Sequence, residues 1–319
     1  MPSELLILVP YDLSPKNIKR IKGASSGIEV VATADPEKIT MTLPKATVIF
    51  GELKPEFMAL ATKVKWVHSP YAGVENVLFP EFVASNITLT CSKGLHVHPM
   101  TELLFGMMLK FNRRLSAYGR LQERREWNTS PYRETQLLAG STIGILGLGK
   151  IGSAMAKAAK GFGMTVIGLR RNSTIPVEHV DVLVGREGLP RLMRESNHIV
   201  IILPLTAETR NLVTMREFDM MVLNPYVYNL ARGPIVSTED LIEALRTGKI
   251  KGAGLDVFDE EPLDEKSPLW GMENVIITPH IGGLVPHYFD GAIDLFIQNL
   301  RRFLNGEELL NVVDKQKGY

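Results

Sequence analysis

Apolar and polar positions alternate along this chain in two series of different length. In the first hundred residues the short apolar runs Leu5–Val9, Glu29–Ala32, Ala46–Phe50, Lys65–His68 and Ile87–Thr90 read as strands. The polar, helix-like segments Pro15–Ile21, Glu37–Thr42 and Pro55–Thr62 lie between them. Alternation of this kind predicts a parallel α/β sheet. From Pro99 to about Leu121 the period changes, and Met100, Leu103, Leu104, Met107, Met108 and Phe111 recur at helical spacing. Glu123–Gln136 is polar and reads as an exposed connection. A second series opens at Ser141, with strands predicted at Thr142–Leu146, Thr165–Leu169, Val180–Val184, His198–Leu203, Val227–Leu230, Gly254–Val257 and Val275–Thr278. Helical patterns such as Ser153–Phe162 and Thr238–Leu245 separate them. An amphipathic helix from about Val285 to Leu304 stops at Asn305-Gly306, two residues that tolerate left-handed geometry. Two such series predict two related α/β domains.

Composition narrows the class. A length of 319 residues fits two domains at roughly 150 residues each. Lys+Arg is 36 and Asp+Glu is 35, so the basic excess of a nucleic-acid-coating protein is missing and no nucleic-acid partner is expected. A single cysteine, Cys91, excludes an intrachain disulfide and a multi-cysteine metal cluster. The first residues, MPSELLILVPYD, lack the basic start and long apolar core of a secretory leader. No run approaches 18 apolar residues, so no membrane span is expected and the reading is a soluble, cytoplasmic protein.

The chemistry begins at Gly147-Leu-Gly149-Lys150-Ile151-Gly152, a G-x-G-x-x-G between a predicted strand and a predicted helix. The first glycine makes the tight turn, the second lets a pyrophosphate approach the backbone, and the third allows close helix–sheet packing. Free N–H groups at the helix start face the anion. A glycine turn without a ligand is the alternative. The next strand ends in Arg170-Arg171-Asn172-Ser173, where an NAD site would carry a carboxylate for the ribose 2′-hydroxyl. Guanidinium groups pair with a 2′-phosphate instead, which predicts NADP(H) over NAD(H), with NAD(H) use still open. The alternative is that both arginines are solvated surface charges.

Arg232, Glu261 and His280 each follow the C-terminal end of a predicted strand, the edge where open α/β sheets bind ligands. An arginine can hold a carboxylate bidentately and polarise the neighbouring carbonyl. A histidine can hand over one proton near neutral pH, and a glutamate can orient it. Taken singly, each also reads as surface charge or structure. His96 and His98 lie two apart, too few ligands for a metal, and either could touch substrate; no metal is expected.

These stretches together resemble the D-isomer-specific 2-hydroxyacid dehydrogenases, among them the glyoxylate/hydroxypyruvate reductases and phosphoglycerate dehydrogenase. Gly144–Gly152, Leu203–Thr209, Asn229–Gly233, Gly252–Pro262 and Thr278–Gly283 carry the likeness in the family order, and it is densest from Leu138 to Asp314. The resemblance implies two Rossmann-like or flavodoxin-like domains with parallel sheets and an active site in the cleft between them. Residues 1–98 plus 288–319 would form a discontinuous substrate domain and 99–287 the cofactor domain, with joints near Val97–Met100 and Gly283–His287. It implies that Arg232 holds the carboxylate of a small 2-oxo acid, that His280 protonates the carbonyl oxygen and that Glu261 supports it. It places the substrate carboxylate also on a turn at Tyr71–Val74, through Ala72 and Gly73. Leu203, Pro204 and Thr206 would pass over the cofactor, Leu230, Ala231 and Gly282 would lie beside it, and Asp256 would lie near the nicotinamide amide. It also implies a homodimer, with Pro99–Leu115 as the contact unless that helix is buried in its own domain. Glu261 disfavours a formate dehydrogenase, which would carry Gln, and the chain's close after Asp314 disfavours a regulatory domain. Other readings are a nucleotide-sensing corepressor on the same fold, or a dehydrogenase for a bulkier 2-hydroxy acid or 3-phosphoglycerate. Tyr226 and Tyr228 are unusual before Ala-Arg-Gly and no role follows for them.

Overall fold

The alternating runs become two separate parallel sheets. The computed structural model describes residues 5–286 and 288–318, and the chain divides into two compact units. One holds the chain up to Leu95 and from Val285 onward; the other is His96–Leu284. The first four residues, on which the leader argument partly rests, and His287, at one expected joint, lie outside the described residues.

The first unit runs β1 (Leu5–Val9), α1 (Pro15–Lys22), β2 (Ile28–Ala32), α2 (Pro36–Thr42), β3 (Val48–Phe50), β4 (Trp66–Ser69), α3 (Pro80–Ala84) and β5 (Thr88–Cys91). Its five strands stand in the order β2-β1-β3-β4-β5 and pair in parallel. Alternation sends Ile7, Val9, Phe50 and Trp66 to one face and Leu8, Ile49 and Val67 to the other. The C-terminal helix Tyr288–Asn305 covers the first face with Ala292, Ile293, Phe296 and Leu300, and Phe296 stacks on Trp66 at 5.1 Å. Pro55–Leu60 forms a 3₁₀-helix rather than the α-helix its composition suggests.

The second unit runs α4 (Val97–Asn112), α5 (Leu115–Glu123), β6 (Thr142–Leu146), α6 (Lys150–Gly161), β7 (Thr165–Leu169), β8 (Val182–Val184), α7 (Leu189–Glu195), β9 (His198–Ile201), α8 (Met215–Asp219), β10 (Tyr226–Asn229), α9 (Thr238–Arg246), β11 (Gly252–Leu255) and β12 (Val275–Ile277). The order β12-β11-β10-β9-β6-β7-β8 is doubly wound, with its switch point between β6 and β9. The single helix expected from Pro99 to Leu121 is in fact two. Arg114 takes a left-handed φ of 55° and turns the chain between them. The apolar spacing hides the break because Met100–Phe111 alone carries it.

The apolar side of α4 is used within its own unit: Met100, Leu104, Phe105, Met107 and Met108 are buried against the sheet. Tyr226 and Tyr228 explain part of that packing. They stand opposite Gly252 and Gly254 in the parallel register. Tyr226 stacks on Phe111 of α4 at 4.8 Å. A Cβ on Gly254 would lie 2.7 Å from the Tyr228 ring and 2.8 Å from Met107 Sδ. The glycines of β11 therefore make the room that the tyrosines of β10 and the helix fill.

Candidate active site

The glycine turn follows β6 and opens α6. Gly147 has φ 111°, and a Cβ there would lie 2.6 Å from Ile202 O. A Cβ on Gly152 would overlap the Gly147 carbonyl. Gly149, at the N-cap of α6, is different: a Cβ there would meet nothing within 4 Å, and no side chain caps the helix start. Two glycines thus answer to close packing and the third to open space beside uncapped N–H groups. Lys150 is exposed and Ile151 half-buried on the first turn of that helix. This cradle fits the pyrophosphate of a dinucleotide.

At the end of β7, Arg170 donates its backbone N–H to Val184 O at 3.0 Å. Arg171 Nη2 donates to Glu208 Oε2 at 3.2 Å, and both side chains are exposed. Ser173 follows, half-buried. Glu208 belongs to the loop after β9 that also carries Leu203, Pro204 and Thr206. Thr209 knits this loop, its hydroxyl donating to Pro204 O at 2.7 Å and accepting from Thr206 N at 2.8 Å. Sequence reasoning assigned no role to Glu208 or Thr209, although both lie in the quoted motif.

Arg232, Glu261 and His280 follow β10, β11 and β12, three adjacent strands. Glu261 Oε2 lies 2.7 Å from His280 Nδ1, and Glu261 Oε1 accepts from Phe258 N at 3.0 Å. A Cβ on Gly233 would overlap the Phe258 carbonyl, so the Arg232 loop packs directly on the loop that presents Glu261. Asn229, to which no role was assigned from the sequence, shapes the Arg232 turn. Its Nδ2 donates to Arg232 O at 2.9 Å and its Oδ1 accepts from Ala231 N at 3.1 Å. That is the Asx-turn geometry an Asn at a strand end favours. Arg232 Nη1 donates to Ala231 O at 2.7 Å, and Leu230 and Ala231 are buried.

Asp256 is buried and organises the His280 loop. Its carboxylate accepts from Thr278 Oγ1, from Ile281 N at 3.0 Å and from Gly282 N at 2.8 Å, and its carbonyl accepts from His280 N at 2.8 Å. A Cβ on Gly282 would lie 2.6 Å from Asp256 Oδ2, so that glycine answers to the close approach of the carboxylate. His280 itself sits at φ 53°, a conformation that this loop imposes. His96 belongs to the same unit, with its ring against the Gly283 backbone. Burial first, then the charges of Arg232 and His280, push its pKa down to about 4. His98 is exposed.

In the first unit, the Tyr71–Val74 turn follows β4. Tyr71 N donates to Ser69 Oγ at 3.2 Å and Tyr71 O accepts from Ser92 N at 3.0 Å, pinning the turn ahead of Ala72 and Gly73. Beside it, at the C-terminal edge of the sheet, a cavity of about 390 Å³ is lined by Tyr11, Glu52, Leu53, Phe57 and Tyr71 among others. Among the described residues, no group of three or more His, Cys, Asp and Glu side chains is placed to hold a metal ion. Among them, too, no helix is long and apolar enough to cross a membrane.

Comparisons with known proteins bear on the family and the fold. The family model "D-isomer specific 2-hydroxyacid dehydrogenase, NAD binding domain" matches residues 105–282. A glyoxylate reductase of Thermococcus litoralis is 33% identical over 291 residues, covering 88% of this chain and 86% of its own. A D-isomer specific 2-hydroxyacid dehydrogenase family protein from Aeromonas salmonicida superposes with a TM-score of 0.87 at 32% identity, covering 98% of this chain and 100% of its own. An NADPH-dependent glyoxylate/hydroxypyruvate reductase from Sinorhizobium meliloti, solved with NADP and sulfate, gives 0.86 at 28%, covering 99% and 100%.

Proposed function

Because this chain belongs to the D-isomer-specific 2-hydroxyacid dehydrogenase family, we propose that it reduces a small 2-oxo acid of the glyoxylate or hydroxypyruvate type to the D-2-hydroxy acid, with NADPH preferred. The observation that carries this reading is the 2.7 Å pairing of His280 Nδ1 with Glu261, on the same strand edge as Arg232. When bound, the reduced nicotinamide supplies the hydride for the carbonyl carbon. The chain's own residues do the rest. With Nδ1 engaged by Glu261, Nε2 of His280 is the nitrogen that donates a proton to the carbonyl oxygen. The Glu261 contact at Nδ1 fixes the ring plane. Arg232 holds the substrate carboxylate and draws electron density from the adjacent carbonyl. The backbone of Ala72 and Gly73 is assigned a part in substrate binding.

The Gly147–Gly152 turn is assigned the pyrophosphate. Leu203, Pro204, Thr206, Leu230 and Ala231 are assigned the cofactor's flanks, and Arg170, Arg171 and Ser173 the adenosine 2′-phosphate. The names of the Thermococcus litoralis and Sinorhizobium meliloti relatives support the substrate class, and the latter supports the cofactor. A homodimer is also part of the reading and is checked by light scattering of the purified protein. The activity test is the initial rate of NADPH and NADH oxidation with 2-oxo acids running from glyoxylate and hydroxypyruvate through pyruvate to branched and aromatic acids. Turnover is expected with NADPH on the smallest acids. Turnover with none, while NADPH binds, would sink the reading.

A further inference from the structure

The end of β7 carries no carboxylate of its own, yet one is brought to it from another loop. Glu208 lies 37 residues beyond Arg171 and accepts its Nη2 at 3.2 Å. In the sheet order, β6 stands between β7 and β9. The ion pair therefore joins the residues after β7 to the loop after β9 across the glycine turn that ends β6. That loop is fixed at both sides of Glu208. Ile202 N donates to Leu146 O at 2.9 Å, Ile202 O sits against Gly147, and Thr209 ties Pro204 to Thr206.

We propose that Glu208 is a specificity-determining residue that sets the balance between the two nicotinamide cofactors. The proposal rests on the reading of the glycine turn and its arginines as a cofactor site. A ribose 2′-hydroxyl donates a hydrogen bond, and a carboxylate is the acceptor that dinucleotide sites provide for it. A 2′-phosphate carries negative charge instead. It is repelled by Glu208 and competes with it for the Arg171 guanidinium. Removing the charge of Glu208 therefore acts in one direction on both counts: NADH loses an acceptor, and NADPH loses a competitor. Exposed ion pairs add little to stability, so the substitution spares the fold.

The test is titration of NADPH and NADH fluorescence without substrate, on the full chain, for wild type, Glu208→Gln and the double variant Arg170→Ala/Arg171→Ala. The ratio Kd(NADH)/Kd(NADPH) is expected to rise about tenfold in Glu208→Gln, the scale of one hydrogen bond to a charged group, with Tm unchanged. A ratio within twofold of wild type overturns the proposal. So does a ratio that falls, since Glu208 would then be orienting Arg171 for the phosphate. The arginine variant reads the underlying assignment separately. If it leaves both affinities at wild-type values, the assignment of the two arginines to the 2′-phosphate fails on its own account, whatever Glu208→Gln does. If wild type binds neither cofactor, both readings fail together.

Discussion

Glu261 grips His280 through Nδ1 at 2.7 Å while its second oxygen takes the Phe258 N–H at 3.0 Å. One carboxylate thus ties the loop after β11 to the imidazole after β12, and leaves Nε2 as the nitrogen to which the proposed proton transfer is assigned. Glu261→Gln keeps the size and one acceptor but removes the negative charge beside His280 Nδ1. We expect kcat for reduction to fall by about 10²-fold, at the lower end of what positioned acid–base groups contribute. NADPH affinity should stay within twofold. A kcat within threefold of wild type, under conditions where a deuterated cofactor shows that hydride transfer limits the rate, would leave Glu261 with a structural role only.

Gly149 differs from its two partners in the turn, because a Cβ there meets nothing in the protein. Gly149→Ala should therefore melt at the wild-type temperature. Its Kd for NADPH should rise more than tenfold, since the methyl enters the space assigned to the pyrophosphate. Gly152→Ala, whose Cβ overlaps the Gly147 carbonyl, should lose stability as well. Thermal melts and fluorescence titrations of the two variants separate these outcomes. Equal binding by Gly149→Ala and wild type would remove the turn from the cofactor site.

Much of the fold and of the candidate site was legible in the chain, because each rests on local signals. Strand–glycine turn–helix is written within some twenty residues, and Arg232, Glu261 and His280 each announce themselves at a strand end. The pairing of His280 with Glu261 is also readable as chemistry. What stayed hidden depends on register and on distant loops. No spacing in the chain joins Asp256 to Thr278, Ile281 and Gly282, from which its carboxylate accepts. Glu208 meets Arg171 across a sequence separation of 37 residues, from the loops after β9 and β7. The two-helix split at Arg114 follows from one left-handed residue that no periodicity encodes.

Tyr228 and Gly254 face each other across β10 and β11. The register explains a tyrosine that spacing alone could not. Tyr228 is fully buried, its hydroxyl 3.2 Å from His198 Nδ1, and its ring fills the volume that Gly254 leaves empty. Gly254→Ala should overpack this layer against Met107 and cost about 1–3 kcal/mol, read from urea denaturation. Pairing it with Tyr228→Phe keeps the ring and should not restore stability. Recovery in Gly254→Ala/Tyr228→Leu, where the ring is gone, is the expected signature of a steric clash. No recovery would place the cost elsewhere.

His68 lies under the Tyr71–Val74 turn, and its surroundings fix its protonation. Trp66 Nε1 donates to Thr90 Oγ1 at 2.8 Å, and Thr90 Oγ1 lies 2.7 Å from His68 Nδ1. His68 Nε2 lies 3.2 Å from Ser92 Oγ, which donates to Ser69 O at 3.2 Å. One proton order satisfies the whole chain: Thr90 donates to Nδ1, and Nε2 carries hydrogen and donates to Ser92. A second ring proton would face the Thr90 hydroxyl hydrogen. Burial accordingly pushes the His68 pKa down to about 3. His198, also buried, is pushed down to about 4 by burial first and Lys251 second. Unfolding returns both to an ordinary value near 6.5. Their neutral burial is therefore fully compatible with the fold above about pH 6.5, and stability is lost as pH falls from there toward the folded values, at roughly 1 kcal/mol per pH unit for each histidine. Tm should drop steadily between pH 6.5 and 4.5. In His68→Gln, Tm should be lower than wild type at pH 7.5, but its slope over that acid range should be shallower. A variant slope as steep as that of wild type would mean that His68 does not carry the acid sensitivity.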